Sequence, residues 1–96
     1  LPHCREYEFN TFHLFVIQVD ERNALMEFLT KRGIETNIHY PVPVHLQPAA
    51  AELGYKPGDL PVAERQADRI LSLPIHQFLG EDDVIYVSET INRFYK

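Results

Sequence analysis

Two histidines, a tyrosine and a glutamine fall within nine residues of each other, in the run H-Y-P-V-P-V-H-L-Q from His39 to Gln47. An imidazole can bind a metal, carry a proton or form hydrogen bonds, and the phenol and the amide add further polar contacts. Proline fixes its own φ angle and pushes the preceding residue toward an extended conformation. Pro41 and Pro43 therefore stiffen the run. This favours a rigid polar surface for binding, since its side chains have little entropy left to lose.

A zinc site is the first chemistry to test, because the chain contains five histidines. His39 and His45 are six positions apart, His76 is remote from both, and Cys4 has no neighbouring ligand. The sequence contains none of the histidine and cysteine spacings typical of zinc sites, and no facial-triad spacing. The spacing therefore disfavours a metal site.

Covalent catalysis and phosphate binding by this chain alone are also disfavoured. Ser72 lies in L-S-L-P-I, without the G-x-S-x-G turn that exposes a nucleophile. The four glycines form no G-x-G-x-x-G or Walker pattern. No lysine lies in the apolar surroundings that favour a Schiff base; the lysines are Lys31, Lys56 and Lys96. The histidines of the run thus either form a binding surface or serve as exposed or internally hydrogen-bonded structural groups.

An extended backbone would divide the side chains of the run into two sets by alternation. One set contains His39 and His45 with the two prolines, and we expect it to form the polar surface. The other set is expected to pack against the protein; it contains Tyr40, Val42 and Val44.

Three short strands are predicted around the run. Residues 13–19, H-L-F-V-I-Q-V, have the branched and aromatic composition of a central strand covered on both faces. Residues 34–38 are expected to form a short second strand, and residues 71–75 a third that Pro74 stops. The expected fold class is therefore α/β, or α+β, with a small mixed or antiparallel sheet of about three strands and helices packed on it.

Helices are predicted between and after these strands. Asp20 can cap the first, with Glu21 in its first turn and Gly33 at its end. A second is expected over residues 48–53, and a third from Pro61. The inner face of the third would contain Ala63, Ala67 and Ile70. The last helix should begin at the acidic residues 81–83, and its buried stripe would contain Val84, Val87, Ile91 and Phe94.

Length and charge narrow the classes of function. Ninety-six residues suit one domain, and a net charge of −5 disfavours a nucleic-acid or anionic-membrane surface. Cys4 has no internal disulfide partner, and the sequence shows neither a signal peptide nor a membrane-spanning run, so a cytoplasmic protein is expected. The chain begins with Leu1 and not with methionine. We therefore expect a piece of a longer polypeptide, although N-terminal processing would leave the same start.

From about His13 onward, the chain resembles the C-terminal small domain of the DegT/StrS-type family of pyridoxal-phosphate-dependent sugar aminotransferases. Four blocks carry the resemblance: H-L-F-V-I-Q-V at 13–19, R-G-I-E-T-N-I-H-Y-P-V-P-V-H-L-Q-P at 32–48, G-D-L-P-V-A-E-R at 58–65 and I-L-S-L-P-I-H at 70–76. The resemblance implies the small-domain architecture of fold-type-I PLP enzymes for residues 13–96. It implies that residues 1–12 are a linker or a remnant of the interdomain segment.

The resemblance also implies a function. Enzymes of this family transfer an amino group, with glutamate as the expected donor, to a nucleotide-linked keto sugar, and they act as homodimers. A large domain without counterpart in these residues holds pyridoxal phosphate (PLP) and its Schiff-base lysine, so this chain alone should neither bind PLP nor turn over. The run is implied to position the substrate. The residues assigned to that role by resemblance are His39, Tyr40, His45, Gln47 and, at the border of the cleft, Asn37.

Two other interpretations remain open. The chain can instead be a free-standing small-molecule-binding or regulatory module that kept the loop and lost the catalysis. Alternatively, it serves mainly to support the assembly of its parent enzyme. By the same resemblance, some enzymes of the family replace the Schiff-base lysine and dehydrate sugars instead of transferring an amino group. The small domain is common to both kinds of enzyme and does not distinguish them.

Overall fold

The sheet of the protein has two antiparallel strands in a computed structural model that describes residues 4–96. Strand β1 spans Phe15–Gln18 and strand β2 spans Ile70–Leu73. The predicted fold class is confirmed, with fewer strands than expected. Half-buried and exposed residues alternate along β1. Only one of its faces therefore lies against the core, and the prediction of a strand covered on both faces is wrong.

The second strand, predicted over residues 34–38, does not form. Asn37 instead makes an isolated antiparallel bridge to Ser72 on the edge of β2, with N–H···O distances of 3.1 and 2.7 Å. The side-chain oxygen of Asn37 accepts the N–H of Ile38 at 2.8 Å. A local side-chain contact of this kind competes with a strand ladder. The third predicted strand forms, begins one residue earlier than predicted, at Ile70, and ends at Leu73, directly before Pro74.

Helix α1 spans Arg22–Thr30. The residue before it, Glu21, has a φ of 51°, and no side chain caps the first turn. The predictions that Asp20 caps this helix and that Glu21 lies in its first turn are therefore wrong. The predicted end is close to the observed one, because Gly33 follows with a φ of +76° and donates to the carbonyl oxygen of Thr30 at 3.0 Å.

Two short 3₁₀ helices follow one another: Val44–Leu46 lies within the end of the run, and Pro48–Leu53 comes directly after it. The second occupies the residues predicted as a helix, and it ends at Gly54, which has a φ of 75°. Its hydrogen bonds are of the tighter 3₁₀ type, as is common in short connecting segments.

Helix α2 spans Pro61–Arg69 and begins at the proline, as predicted. Ala67 of the predicted inner face is buried, whereas Ile70 belongs to β2. No loop separates the helix from the strand. The guanidinium of Arg22 donates across this junction to the carbonyl oxygens of Ala67 and Ile70, at 3.1 and 3.0 Å, and so fixes the point where helix becomes strand.

Helix α3 spans Glu81–Phe94 and begins at the acidic residues, as predicted. The carboxylate of Asp83 accepts the N–H of Gly80 at 3.0 Å, which satisfies a donor at the helix start. Val84 of the predicted stripe is exposed, whereas the other three residues pack against the core; they are Val87, Ile91 and Phe94. Within residues 4–96, no helix combines the length and apolar character that a bilayer crossing requires.

The core contains side chains from α1, from β2 and from the turn between α1 and the run. Its buried aliphatic members are Leu25, Leu29, Ile34 and Leu71. Thr90 of α3 is also buried, and its hydroxyl donates to the carbonyl oxygen of Tyr86 at 2.6 Å. Because Leu71 belongs to β2, this core also fixes the strand on which the first part of the run is held.

Replacing Leu29 with alanine should lower the free energy of unfolding by about 2–5 kcal/mol, because a fully buried side chain leaves a cavity when it is removed. Leu53→Ala is the matched control, because Leu53 is 71% exposed and its loss should change stability by about 0.5 kcal/mol or less. Urea unfolding measures both values. Equal midpoints for the two variants would contradict the placement of Leu29 in the core.

Candidate functional site

The first part of the run is held on β2 by Ser72. The half-buried ring of His39 places its Nδ1 2.8 Å from the Ser72 hydroxyl oxygen. Ser72 is buried, and its backbone already pairs with Asn37. One serine therefore holds two of the predicted site residues through three hydrogen bonds.

The second part of the run is held on α2 by Glu64. His45 is only 7% exposed, and its Nε2 lies 3.0 Å from Oε1 of Glu64. Both oxygens of this carboxylate also accept the N–H of Gly58 at 2.9 Å, and Oε1 accepts the N–H of Leu60 at 3.4 Å. Glu64 therefore ties the run, the turn before α2 and α2 itself to one another.

These contacts set the ionisation of Glu64. The hydrogen bond from His45 lowers the pKa of the carboxyl below its ordinary 4.5, and the Gly58 N–H lowers it further, with burial opposing both. The carboxylate is ionised at neutral pH and can then only accept hydrogen bonds. Nε2 of His45 must carry the proton of the bond between them.

The side chains of the run point the opposite way from the prediction. The histidines turn inward, whereas Tyr40, Val42 and Val44 are 69%, 45% and 78% exposed. The 3₁₀ turn that begins at Val44 interrupts the extended alternation. Each histidine also has a polar partner inside the protein, which removes the cost of burying an imidazole. The prediction of an exposed histidine face and a packed tyrosine–valine face is therefore wrong.

An apolar groove of about 450 Å³, here called the loop groove, lies between the run and α2. Three of the predicted site residues line it, and the remaining polar side chains there come from Tyr55 and Gln66. The three are Tyr40, His45 and Gln47. Gln47 donates to the carbonyl oxygen of Val42 at 3.3 Å, which closes the loop on itself. The ring of Tyr55 meets that of His45 edge-on, with centroids 6.0 Å apart.

A second and more polar groove of about 810 Å³, here called the strand groove, lies beside Ser72. It is lined by the other two predicted site residues, Asn37 and His39, together with His13 and His76. The structure thus divides the five predicted residues between two grooves. Across residues 4–96, no group of three or more histidine, cysteine, aspartate or glutamate side chains is arranged to hold a metal ion.

Sequence reasoning missed Glu64 and considered Ser72 only as a nucleophile or a strand residue. A detectable signal for Glu64 was its place in the first turn of a helix that begins at Pro61, where a carboxylate can accept free N–H groups. The signal for Ser72 was a lone hydroxyl in an otherwise aliphatic strand. Neither signal identifies a histidine as the partner.

Comparison with known protein families gives a match along nearly the whole chain. A sequence model of the DegT/DnrJ/EryC1/StrS aminotransferase family matches residues 2–92. The chain is 46% identical over 88 residues to a pleiotropic regulatory protein of Geobacillus stearothermophilus, covering 92% of this chain and 24% of that protein. It is 41% identical over 83 residues to the dTDP-3-amino-3,4,6-trideoxy-alpha-D-glucose transaminase of Streptomyces venezuelae, covering 86% of this chain and 22% of that enzyme.

Solved structures give the same relationship. The chain superposes on DesV of S. venezuelae, crystallised with a ketimine intermediate, with a TM-score of 0.79 and 41% identity. The matched region covers 85% of this chain and 22% of DesV. The chain spans about a quarter of the length of the curated relatives that it matches.

The contribution of Glu64 to stability should depend on pH. Its pKa is lower in the folded chain than the ordinary 4.5, so the ionised carboxylate stabilises the fold above about pH 4.5. This contribution is lost as the pH falls through the folded pKa. The difference in unfolding free energy between wild type and Glu64→Gln should be largest near neutral pH and shrink on acidification.

Urea unfolding from neutral pH down to about pH 3 measures this difference. Glu52→Gln is the matched control, because Glu52 is an exposed glutamate of the neighbouring 3₁₀ helix, and its effect should stay flat. A Glu64→Gln difference that is constant across the range would show that the carboxylate charge plays no part in holding the run.

Proposed function

The chain belongs to the DegT/DnrJ/EryC1/StrS aminotransferase family, and from this premise we propose that it is the C-terminal small domain of a PLP-dependent aminotransferase that acts on a nucleotide-linked keto sugar. In this proposal residues 13–96 form the small domain, and residues 1–12 belong to the interdomain segment. The transaminase relative is named for a dTDP-linked amino sugar, which supports this substrate class. Most of such an enzyme lies outside these 96 residues.

The observation that carries the role of this domain is the placement of Tyr40. Its side chain is 69% exposed, yet it follows directly on His39, which is anchored on β2. Gln47 and His45 line the same groove. A polar side chain on an anchored backbone can bind a ligand without the entropic cost of first ordering the loop. We assign Tyr40, His45 and Gln47 to positioning of the substrate.

The charge of the loop groove suggests which part of the substrate it receives. No lysine or arginine is found among its lining residues. A diphosphate needs cations or clustered N–H donors, so it must be bound by other parts of the enzyme. An apolar groove with a few hydroxyl, amide and imidazole groups suits an uncharged sugar ring. Asn37 and His39 line the separate strand groove, and their place at the border of the substrate cleft belongs to this proposal and rests on the family.

Neither groove fits PLP. No lysine that could form a Schiff base, and no arginine for its phosphate, is present among the residues that line them. We therefore place PLP, which supplies the chemistry of amino-group transfer, in a large domain of the same polypeptide. The use of glutamate as amino donor, the homodimeric assembly and the cytoplasmic location belong to this proposal and rest on the family.

A regulatory module is the second candidate, and one observation favours it. The relative that is 46% identical to this chain is named a pleiotropic regulatory protein. A module of that kind would bind a small molecule in the loop groove without transferring an amino group.

Kinetics of Tyr40→Phe in the full-length polypeptide test the proposal. The assay follows amino transfer from a panel of dTDP- and UDP-linked amino sugars to 2-oxoglutarate. Loss of one hydroxyl contact of about 1–1.5 kcal/mol should raise KM for the amino sugar roughly tenfold and leave kcat within about twofold. KM is expected to change without kcat because the contact holds the sugar equally in the ground state and in the transition state.

Tyr7→Phe is the matched control, because it removes a hydroxyl from another exposed tyrosine, far from the run in sequence. An unchanged KM in Tyr40→Phe would remove the positioning role of Tyr40. Absence of turnover by the wild-type protein across the panel, together with binding of the same sugars, would favour the regulatory module.

A further inference from the structure

Glu64 is joined to its surroundings by donors of two different kinds. The N–H groups of Gly58 and Leu60 are backbone donors that cannot change their role. The third donor is Nε2 of His45, and an imidazole nitrogen can either donate or accept. The carboxylate thus decides which nitrogen of the imidazole carries the proton.

In the neutral ring only one nitrogen is protonated. Because an ionised carboxylate only accepts, its contact at 3.0 Å requires Nε2–H, and Nδ1 is then left as an acceptor. The lowered pKa of Glu64 supports an ionised partner. The edge contact with Tyr55 holds the ring from a second direction, so the position of Nδ1 is fixed as well.

Nδ1 of His45 remains available to a ligand. It makes no hydrogen bond to any of residues 4–96. Two buried side-chain nitrogen or oxygen atoms in this part of the chain lack a partner, and they are Thr36 Oγ1 and Arg69 Nε. Nδ1 of His45 is not one of them, so it keeps contact with solvent although the residue is 7% exposed. The residue lines the loop groove beside Tyr40 and Gln47.

We propose that Glu64 is a positioning residue, which fixes His45 as the Nε2–H tautomer and thereby leaves Nδ1 to accept a hydrogen bond from a sugar hydroxyl in the loop groove. The proposal rests on the function proposed above and adds the chemistry by which the groove recognises its substrate. A hydroxyl donor is required at this point of the sugar, and a group that only accepts would be rejected.

Glu64→Gln and Glu64→Ala together separate this role from a merely structural one. The N–H groups of Gly58 and Leu60 and Nε2 of His45 all meet at Oε1 of Glu64, so a glutamine should place its amide oxygen there and keep the Nε2–H tautomer. Alanine removes the acceptor, and nothing then holds the proton on Nε2. Nδ1 should carry the proton in part of the molecules, where it can no longer accept a hydrogen bond from the sugar.

The tautomer is read from two-bond ¹H–¹⁵N correlations of the full-length polypeptide labelled with ¹⁵N-histidine, at about pH 8, where an ordinary imidazole is neutral. The signal of His45 is assigned by its loss in His45→Gln. We expect Nε2–H alone in the wild type and in Glu64→Gln, and a measurable Nδ1–H population in Glu64→Ala. KM for the amino sugar should rise roughly tenfold in Glu64→Ala, with kcat within about twofold, and should stay within about twofold of the wild type in Glu64→Gln. Glu52→Ala should change neither quantity.

Only the joint change of tautomer and KM in Glu64→Ala, with both retained in Glu64→Gln, supports the proposal, and any other combination in folded variants overturns it. If Glu64→Ala does not fold, titration of the wild type with the amino-sugar panel decides. Saturation should shift the Nδ1 resonance of His45, and an unmoved resonance overturns the proposal. Turnover with an unmoved resonance refutes this inference alone. A shifted resonance without turnover refutes the proposed aminotransferase activity and leaves this inference standing.

Discussion

The continuity of α2 and β2 is the constraint on which the arrangement of the site depends. The helix ends at Arg69 and the strand begins at the next residue, so Glu64 and Ser72 lie on one uninterrupted segment. His45 bonds to the first of them and His39 to the second. The loop between these histidines is therefore held at both ends by one rigid piece of backbone, which the core fixes through β2.

Anchoring at both ends explains how exposed side chains can form a defined site. Tyr40 and Val42 lie between the two histidine contacts, where the φ angles of Pro41 and Pro43 are also fixed. The proposed binding surface is thus made of groups that face solvent, while the groups that look most reactive in the sequence serve to hold it. In the proposed function His45 has both roles, because its Nε2 is hydrogen-bonded to Glu64 and its Nδ1 is not.

The sequence predicted well what depends on local composition and periodicity. The start of helix α3 follows from the acidic residues 81–83, and its buried stripe, apart from Val84, from the spacing of apolar residues. The strand nature of β1 follows from the branched and aromatic composition of residues 13–19, within which the strand lies. The strand at 34–38 failed because the Asn37 side chain takes the N–H of Ile38. The direction of the histidines could not be predicted, since their partners are 33 and 19 positions away in the chain. The residue types identified the run, family resemblance implied its role, and only the structure shows which of its atoms have no hydrogen-bond partner within residues 4–96.

A crystal structure of the full-length polypeptide with a nucleotide-linked amino sugar tests the central claim most directly. The account predicts that the sugar ring lies in the loop groove, with hydroxyl groups within hydrogen-bond distance of the Tyr40 side chain and of Nδ1 of His45, and with the His45–Glu64 contact intact. A sugar bound without contact to residues 39–47, or bound only after that contact has broken, would contradict it.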